Sequence, residues 1–277
     1  MTDKNSEYPT PAQNNKHKPM ALPEGATKPM EIQQLNLNTV ILQLDDDFGR
    51  TSASVISHIN ALLLEHFGQR IINTVPAYRS LLIEFSLQHH AMAASTAELE
   101  QQVRAALSHF QADTAERRIV EIPVYYHPSV GDDLEQIMES KNISLAQLIE
   151  LHTRIQYQVQ AVGFIPGFAY LGNLEPALQV SRLARPRATV AKGSIAIAEQ
   201  QTAVYPRATP GGWNIIGRTP IDVFHITAEG EIAHAFELGD TVQFRSISEA
   251  DFFALGGRLG QSGQNDRYSQ RDESLKP

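Results

Sequence analysis

The sequence predicts an α+β protein in two parts, an N-terminal ferredoxin-like α/β domain followed by an all-β barrel or sandwich. Three observations carry this. Between residues 36 and 125, apolar patterns of period two and period 3.6 follow one another in the order βαββαβ, the split βαβ arrangement. From Gln156 onward, short β-type runs alternate with Gly and Pro at intervals suited to a barrel or sandwich. Both ends are polar and lack periodicity. The predicted division is a disordered arm over 1–35, the ferredoxin-like domain over 36–125, the β domain over 126–257 and a polar tail over 258–277.

Taken in order, residues 1–30 hold five of the 15 prolines among Lys4, Lys16, Lys18 and Lys28. No apolar stretch there suits a signal peptide. TVILQLD, from Thr39 to Asp45, reads as a strand. From Ser52 to Phe67, Val55, Ile59, Leu62, Leu63 and Phe67 recur at helical spacing behind a Ser/Thr cap. Two β-type runs, Arg70 to Val75 and Ser80 to Phe85, are separated by Pro76. Leu99, Val103, Ala106, Leu107 and Phe110 share one face of a second helix over Ser95 to Phe110. Arg118 to Tyr125 is the strand expected to close the first domain. Helical patterns follow over Leu134 to Glu139 and over Leu145 to His152, the latter behind Ser144. The runs YQVQAVGF, SIAIAE, TAVYP, NIIGRT, IDVFHIT, IAHAFEL and TVQFRSI make up the β domain. A short helix from Ser248 to Leu255 ends at Gly256 and Gly257.

Composition narrows the function. The 277 residues are 42% hydrophobic, with 23 Lys plus Arg against 31 Asp plus Glu, a formal charge of −8. An acidic chain is poorly suited to broad attachment to nucleic acid or an anionic membrane. Zero cysteine removes disulfides, thiol nucleophiles and thiolate metal sites. No run approaches the roughly 18 apolar residues of a membrane helix. These features predict a cytoplasmic location.

Familiar motifs are missing. Residues 192–194 read Lys-Gly-Ser, which is not the order of a phosphate-binding Walker loop. The glycines at 256, 257, 260 and 263 do not fit a dinucleotide fingerprint, and Ser262 does not sit in a nucleophile elbow. His89 and His90 are adjacent, but neither His-x-His nor His-Glu-x-x-His occurs, so no metal site is predicted.

The informative segment runs from Gly163 to Pro220. It carries Arg182, Arg185, Arg187, Lys192, Arg207 and Arg218 against only Glu175 and Glu199, a cationic island in an acidic chain. Arginine meets carboxylate or phosphate with paired charge-assisted hydrogen bonds, so a small anion is the expected ligand. The alternative is that several of these arginines pair with acids elsewhere. Within the island, GFIPGFAYLG implies a shaped turn under Phe164, Phe168 and Tyr170. YPRATPGGWNIIGRTP joins Pro210 to Gly211, Gly212 and the only tryptophan, Trp213. Glycines there permit close approach of backbone to a ligand, or simply make turns. Candidates for acid/base work are His152, Tyr170 and Tyr205. His152 closes a short helix, where capping is the alternative role. Gln201, Thr202 and Ser194 are candidates for donors to a substrate oxygen.

At these residues the sequence resembles a known family. GFIPGFAYLG, followed by RLARPRATVAKGSIAIAEQQTAVYPRATPGGWNIIGRTP, is similar to the 5-oxoprolinase B subunit, also called allophanate hydrolase subunit 1, a family that includes an inhibitor of sporulation kinase A. The likeness is strong from about Leu151 to Pro220 and looser from about residue 36 to residue 257. It implies a cyclophilin-like β-barrel as the second domain. It implies that the chain works with A and C subunits to open the lactam of 5-oxo-L-proline, coupled to ATP hydrolysis and giving L-glutamate. Two other roles fall within the resemblance: inhibition of a sensor histidine kinase, and a carboxyltransferase component of a biotin-dependent urea system. On the leading reading, His152, Tyr170 and Arg218 are catalytic, while Arg185, Lys192, Gln201, Arg207, Pro210, Gly211, Gly212 and Trp213 bind the small carboxylate substrate. ATP is the implied cofactor, bound at a partner chain or shared with it. Two departures stand out: Ala191-Lys192-Gly193-Ser194 replaces a Pro-Ala-Gly-Ser type stretch, and Tyr126-His127 replaces Tyr-Gly.

Overall fold

The computed structural model describes residues 30–45, 52–88, 92–110, 118–226 and 232–259. Most of the predicted arm, the His89/His90 pair and the tail from residue 260 lie outside the described residues. The chain is mixed α and β, and its sheet pairing is antiparallel with one parallel exception.

The first layer contains strands β1 (Met30–Gln34), β2 (Thr39–Leu44), β3 (Ile71–Ala77) and β4 (Ser80–Phe85), adjacent in the order β1-β2-β4-β3. Helices α1 (Ser52–Phe67) and α2 (Met92–His109) pack on one face. Period-two burial in β2 and β4 turns Val40, Leu42, Leu81 and Ile83 toward the helices, which answer with Val55, Ile56, Ile59, Leu63, Leu99 and Val103. All ten are fully buried or nearly so, and each contributes about 1.5–3 kcal/mol relative to exposure. Pro76 does not separate β3 from β4, as the sequence suggested, but lies inside β3 opposite Leu81. It is tolerated because β3 is close to an edge, meeting its other neighbour only at the pair Ala77↔Ala161. The turn falls at Tyr78 and Arg79, with Tyr78 in the left-handed region at φ 53°.

The strand expected to close this layer does not. β5 (Ile119–Val124) instead pairs in parallel with β15 (Thr241–Ser246), in register from Thr241↔Ile119 to Ser246↔Val124. The reason is visible at the edge beside β2. Residues 30–34, which the sequence assigned to the arm, form β1 and pair with β2 from Met30↔Leu44 to Gln34↔Val40. With that ladder taken, Ile122 and Val124 bury their side chains in the second core.

The second core begins with α3 (Leu134–Lys141) and α4 (Leu145–Thr153). α4 starts at a capping box in which the Ser144 hydroxyl accepts from Gln147 N–H and the Gln147 side chain accepts from Ser144 N–H. Strands β6 (Gln156–Val162), β7 (Ala169–Gly172), β9 (Ser194–Ala198), β10 (Gln201–Val204) and β12 (Asn214–Arg218) follow the pairing path β15-β6-β7-β10-β9-β12. The bridge Tyr125↔Arg218 joins β12 to the end of β5. Short ribbons, β8 (Arg187–Val190) with β11 (Thr209–Gly211) and β13 (Phe224–Ile226) with β14 (Ile232–His234), lie off this path. A final helix, α5 (Glu249–Ala254), has a capping box at Ser248 and Asp251.

β9 is buried on both faces and separates two apolar clusters. Ile195 and Ile197 join the larger core, whereas Ala196 and Ala198 face a smaller aromatic cluster of Phe168, Tyr205, Trp213 and neighbours. β10 repeats this, with Val204 on one side and Ala203 on the other. Small alanines on the second face leave room for large rings.

Candidate functional site

Those rings floor a cleft of about 440 Å³, within the range of small-molecule sites. Its walls come from four segments: the turn carrying Phe164, Ile165, Phe168 and Tyr170; Arg182, Leu183 and Pro186; Tyr205; and the stretch from Thr209 to Trp213. The turn is held by Gly163 N–H donating to Phe168 O at 3.0 Å and Phe168 N–H donating to Ile165 O at 3.1 Å. Gly167 at φ 81° cannot be replaced cheaply, because a Cβ there would lie 2.5 Å from Phe224 Cβ. At the rim, Phe164 is 63% exposed and sits at φ 73°, an uncommon state for a bulky residue.

Phe168 is the hub of the floor. Its ring centroid is 5.0 Å from Tyr170, 5.4 Å from Tyr205 and 5.9 Å from Trp213, all edge-on. Such pairs stabilise by about 0.5–1.5 kcal/mol beyond area burial. Gly211 is required where the wall meets Tyr205, since a Cβ would fall 2.3 Å from the phenol oxygen. Burial raises the Tyr205 pKa, opposed by a backbone hydrogen bond at Trp213 and by Arg182 and Arg187. Tyr205 therefore stays a neutral donor at physiological pH. Arg182 lies over the Trp213 ring at 5.8 Å and is the one charged side chain in the lining.

The structure divides the predicted site residues. Tyr170, Pro210, Gly211, Gly212 and Trp213 come together in the cleft. Arg185 and Arg207 are exposed and outside its lining. Lys192 forms a surface ion pair with Asp222 at 2.7 Å. Gln201 donates to the Tyr78 hydroxyl, reaching the site only through the Tyr78–Tyr170 ring contact at 6.4 Å. Arg218 is buried in β12 and donates to Arg258 O at 3.1 Å, away from the cleft. Arg187 is tied to Asp133 at 2.6 Å, and Asp133 also accepts from Ile215 N–H at 2.7 Å. Ser194 and Thr202 are fully buried rather than presented to a ligand.

His152 requires the firmest correction. It is fully buried, not an accessible base or a cationic helix cap. The Tyr126 hydroxyl donates to Nδ1 at 2.7 Å, Nε2–H donates to Thr202 Oγ1 at 3.0 Å, and Thr202 donates to Ala196 O at 3.1 Å. This chain of donors suits the neutral ring, and burial holds its pKa down at about 3. Phe244 stacks on it at 4.5 Å.

Arg182 is the functional candidate that sequence reasoning passed over. It stands among the six cations of the island, but only its position over Trp213 distinguishes it. Among the described residues, no group of His, Asp or Glu is arranged to hold a metal ion, and no helix is long and apolar enough to cross a membrane.

Comparison with known proteins places this geometry in a lineage. Residues 30–233 match the family model of the carboxyltransferase domain, subdomain C and D. The 5-oxoprolinase B subunit of Bacillus subtilis is 30% identical over 231 residues, covering 81% of this chain and 95% of that protein. The Escherichia coli O157:H7 protein of the same name is 43% identical over 129 residues, covering 47% of this chain and 58% of that one. Among solved structures, TTHA0988 superposes with a TM-score of 0.65 at 28% identity, over 76% of this chain. The present chain spans only 40% of TTHA0988. The Kluyveromyces lactis urea carboxylase has the same fold over 86% of this chain and 24% of its own, with a TM-score of 0.64 at 17% identity. With its match running from β1 to β14 and a relative aligned over nearly its whole length, the chain belongs to the carboxyltransferase subdomain C and D family that includes the 5-oxoprolinase B subunit.

Proposed function

We propose that this chain is the B subunit of an ATP-dependent 5-oxoprolinase, hydrolysing 5-oxo-L-proline to L-glutamate together with the A and C subunits. The observation that carries the reading is the relationship to the Bacillus protein of that name over 95% of its length. The cleft adds a compatible site, since a small cyclic carboxylate suits aromatic walls with one cation. On this reading the first layer is a ferredoxin-like domain whose last strand has been replaced by β1. The circuit from β5 through β15 to β12 is a cyclophilin-like barrel. The complex is cytoplasmic.

Ring opening breaks the lactam C–N bond. Water oxygen adds to the carbonyl carbon, and the leaving nitrogen takes a proton. This chain's contribution is to bind and orient. Phe168, Tyr170 and Trp213 exclude water from the ring, while the phenols of Tyr170 and Tyr205 can donate to the carbonyl oxygen as it gains charge. The cleft lining has neither carboxylate nor histidine among the described residues, and on this reading a companion chain supplies the proton acceptor. The residues do not fit ATP either. A triphosphate carries several negative charges, and the lining offers one guanidinium in mostly apolar walls. The cleft itself thus does not suit ATP, and on this reading ATP binds at or is shared with a companion chain, without which this one is inactive.

The test is ADP and glutamate release dependent on 5-oxo-L-proline from the purified components, each omitted in turn. Loss of turnover without this chain is expected; turnover undiminished by its omission overturns the assignment. The family's carboxyltransferase description favours one second reading, a biotin-dependent carboxyltransferase component. Turnover that requires a biotin carrier would select it.

A further inference from the structure

We infer that Arg182 is the specificity-determining residue of the cleft, pairing with the substrate carboxylate while the lactam ring lies against Phe168 and Trp213. The inference rests on the 5-oxoprolinase reading and assigns the recognition step within it to one side chain.

Four observations converge on this residue. Arg182 is the one full charge in the cleft lining, and no acidic side chain lines it. The other cations of the island lie outside the lining: Lys192 is paired with Asp222, Arg187 with Asp133, Arg218 is buried in β12, and Arg185 and Arg207 stand beyond the cleft, whereas Arg182, exposed like these last two, stands at its rim. Arg182 forms no ion pair with any described residue, so its fork of donors remains available for a ligand. Its guanidinium lies over the indole of Trp213 at 5.8 Å, which restrains the long side chain at the cleft. A positive potential from Arg182 also reaches the phenols of Tyr78 and Tyr205.

The apolar walls sharpen the discrimination. A carboxylate entering between aromatic rings is stripped of part of its water, and only a paired cation compensates for that loss. A ligand of the same ring shape without the charge forgoes the pairing with the exposed guanidinium of Arg182. Anchoring the carboxylate at the Arg182 side leaves the lactam carbonyl for the Tyr170 and Tyr205 hydroxyls.

Two measurements test the assignment. In the assembled complex, Arg182→Ala is expected to raise KM for 5-oxo-L-proline by about tenfold or more, leaving KM for ATP unchanged, with Arg182→Lys partly restoring it. Arg104→Ala, at an exposed helix pair with Glu100, is the control. A substrate KM for Arg182→Ala within about twofold of wild type overturns the inference while leaving the 5-oxoprolinase reading intact. If the wild-type complex shows no 5-oxo-L-proline-dependent turnover, that broader reading fails. The second measurement stands apart from activity. Trp213 is the only tryptophan in the chain, so its fluorescence in the isolated protein reports the cleft. Titration with 5-oxo-L-proline is expected to give a saturable change that 5-oxo-L-prolinamide does not reproduce and that Arg182→Ala abolishes. Equal responses to acid and amide, or no response to either, overturn the inference.

Discussion

Replacing His152 by glutamine is expected to change the pH dependence of stability rather than only its level. The ring is fully buried, and its pKa falls from 6.5 in the unfolded chain to about 3 in the folded one. The unfolded chain therefore takes up a proton as pH drops below about 6.5, and the folded protein does not. The neutral ring's contribution is fully present above the unfolded value. It is lost as pH falls toward the folded value, at about 1.4 kcal/mol per pH unit. From about pH 7 to about pH 4.5 the wild type should lose about 2.5 kcal/mol through this one group. The glutamine side chain cannot titrate but can still hydrogen-bond Tyr126 or Thr202. Urea unfolding of both proteins across that range isolates the effect, because every other titrating group is shared. At neutral pH the variant should be the less stable, having lost the stack on Phe244 and one hydrogen bond. On acidification the gap should narrow by the stated amount. Parallel stability profiles would refute the burial argument and reopen His152 as a group that meets solvent.

Asp133→Ala removes an acceptor shared by the Arg187 guanidinium and Ile215 N–H; a loss of about 3 kcal/mol is expected in urea unfolding. Gly211→Ala should push Tyr205 out of position and cost about 1–3 kcal/mol, with the Trp213 emission shifted; adding Tyr205→Phe should recover part of the loss by removing the clashing oxygen. Lys192→Ala breaks an exposed pair, so thermal unfolding should register a change within about 1 kcal/mol, and substrate KM in the assembled complex should not move.

What the sequence disclosed follows from what is local. The helix over Ser52 to Phe67 was legible because its apolar spacing is local, although Leu62, read as part of the apolar face, is 37% exposed. Ser144 and Ser248 were likewise readable as helix starts. Pairing was not readable. Ile119–Val124 has the composition of any half-buried strand, and nothing within it specifies Thr241–Ser246 as its neighbour. MEIQQ at residues 30–34 is too polar to announce a strand, and it forms one because β2 offers it a ladder. At the site, Pro210 to Trp213 were legible because proline, paired glycines and a lone tryptophan constrain a short segment in few ways. The arginines were not, because six guanidinium or ammonium groups look alike in a sequence. Their roles were separated by distant partners, Asp133 for Arg187 and Asp222 for Lys192, against the ring beneath Arg182. His152 misled for a related reason. Its place at the end of a helix suggested a capping or acid/base role, whereas Tyr126 and Thr202, 26 and 50 residues away in sequence, enclose it.

The parallel pairing of β5 with β15 also imposes an order on biosynthesis. The first layer draws its buried contacts from within residues 30–107, so these can form as soon as that length has left the ribosome. β5 emerges next, but its ladder partner begins at Thr241. For the whole interval between them β5 lacks its parallel ladder partner, and although core neighbours of Ile122 and Val124 from Tyr126 to Phe236 are made in that interval, a strand edge stands open during translation. A nascent chain arrested before residue 241 should therefore depend on chaperones, whereas one extended through Ser246 should not.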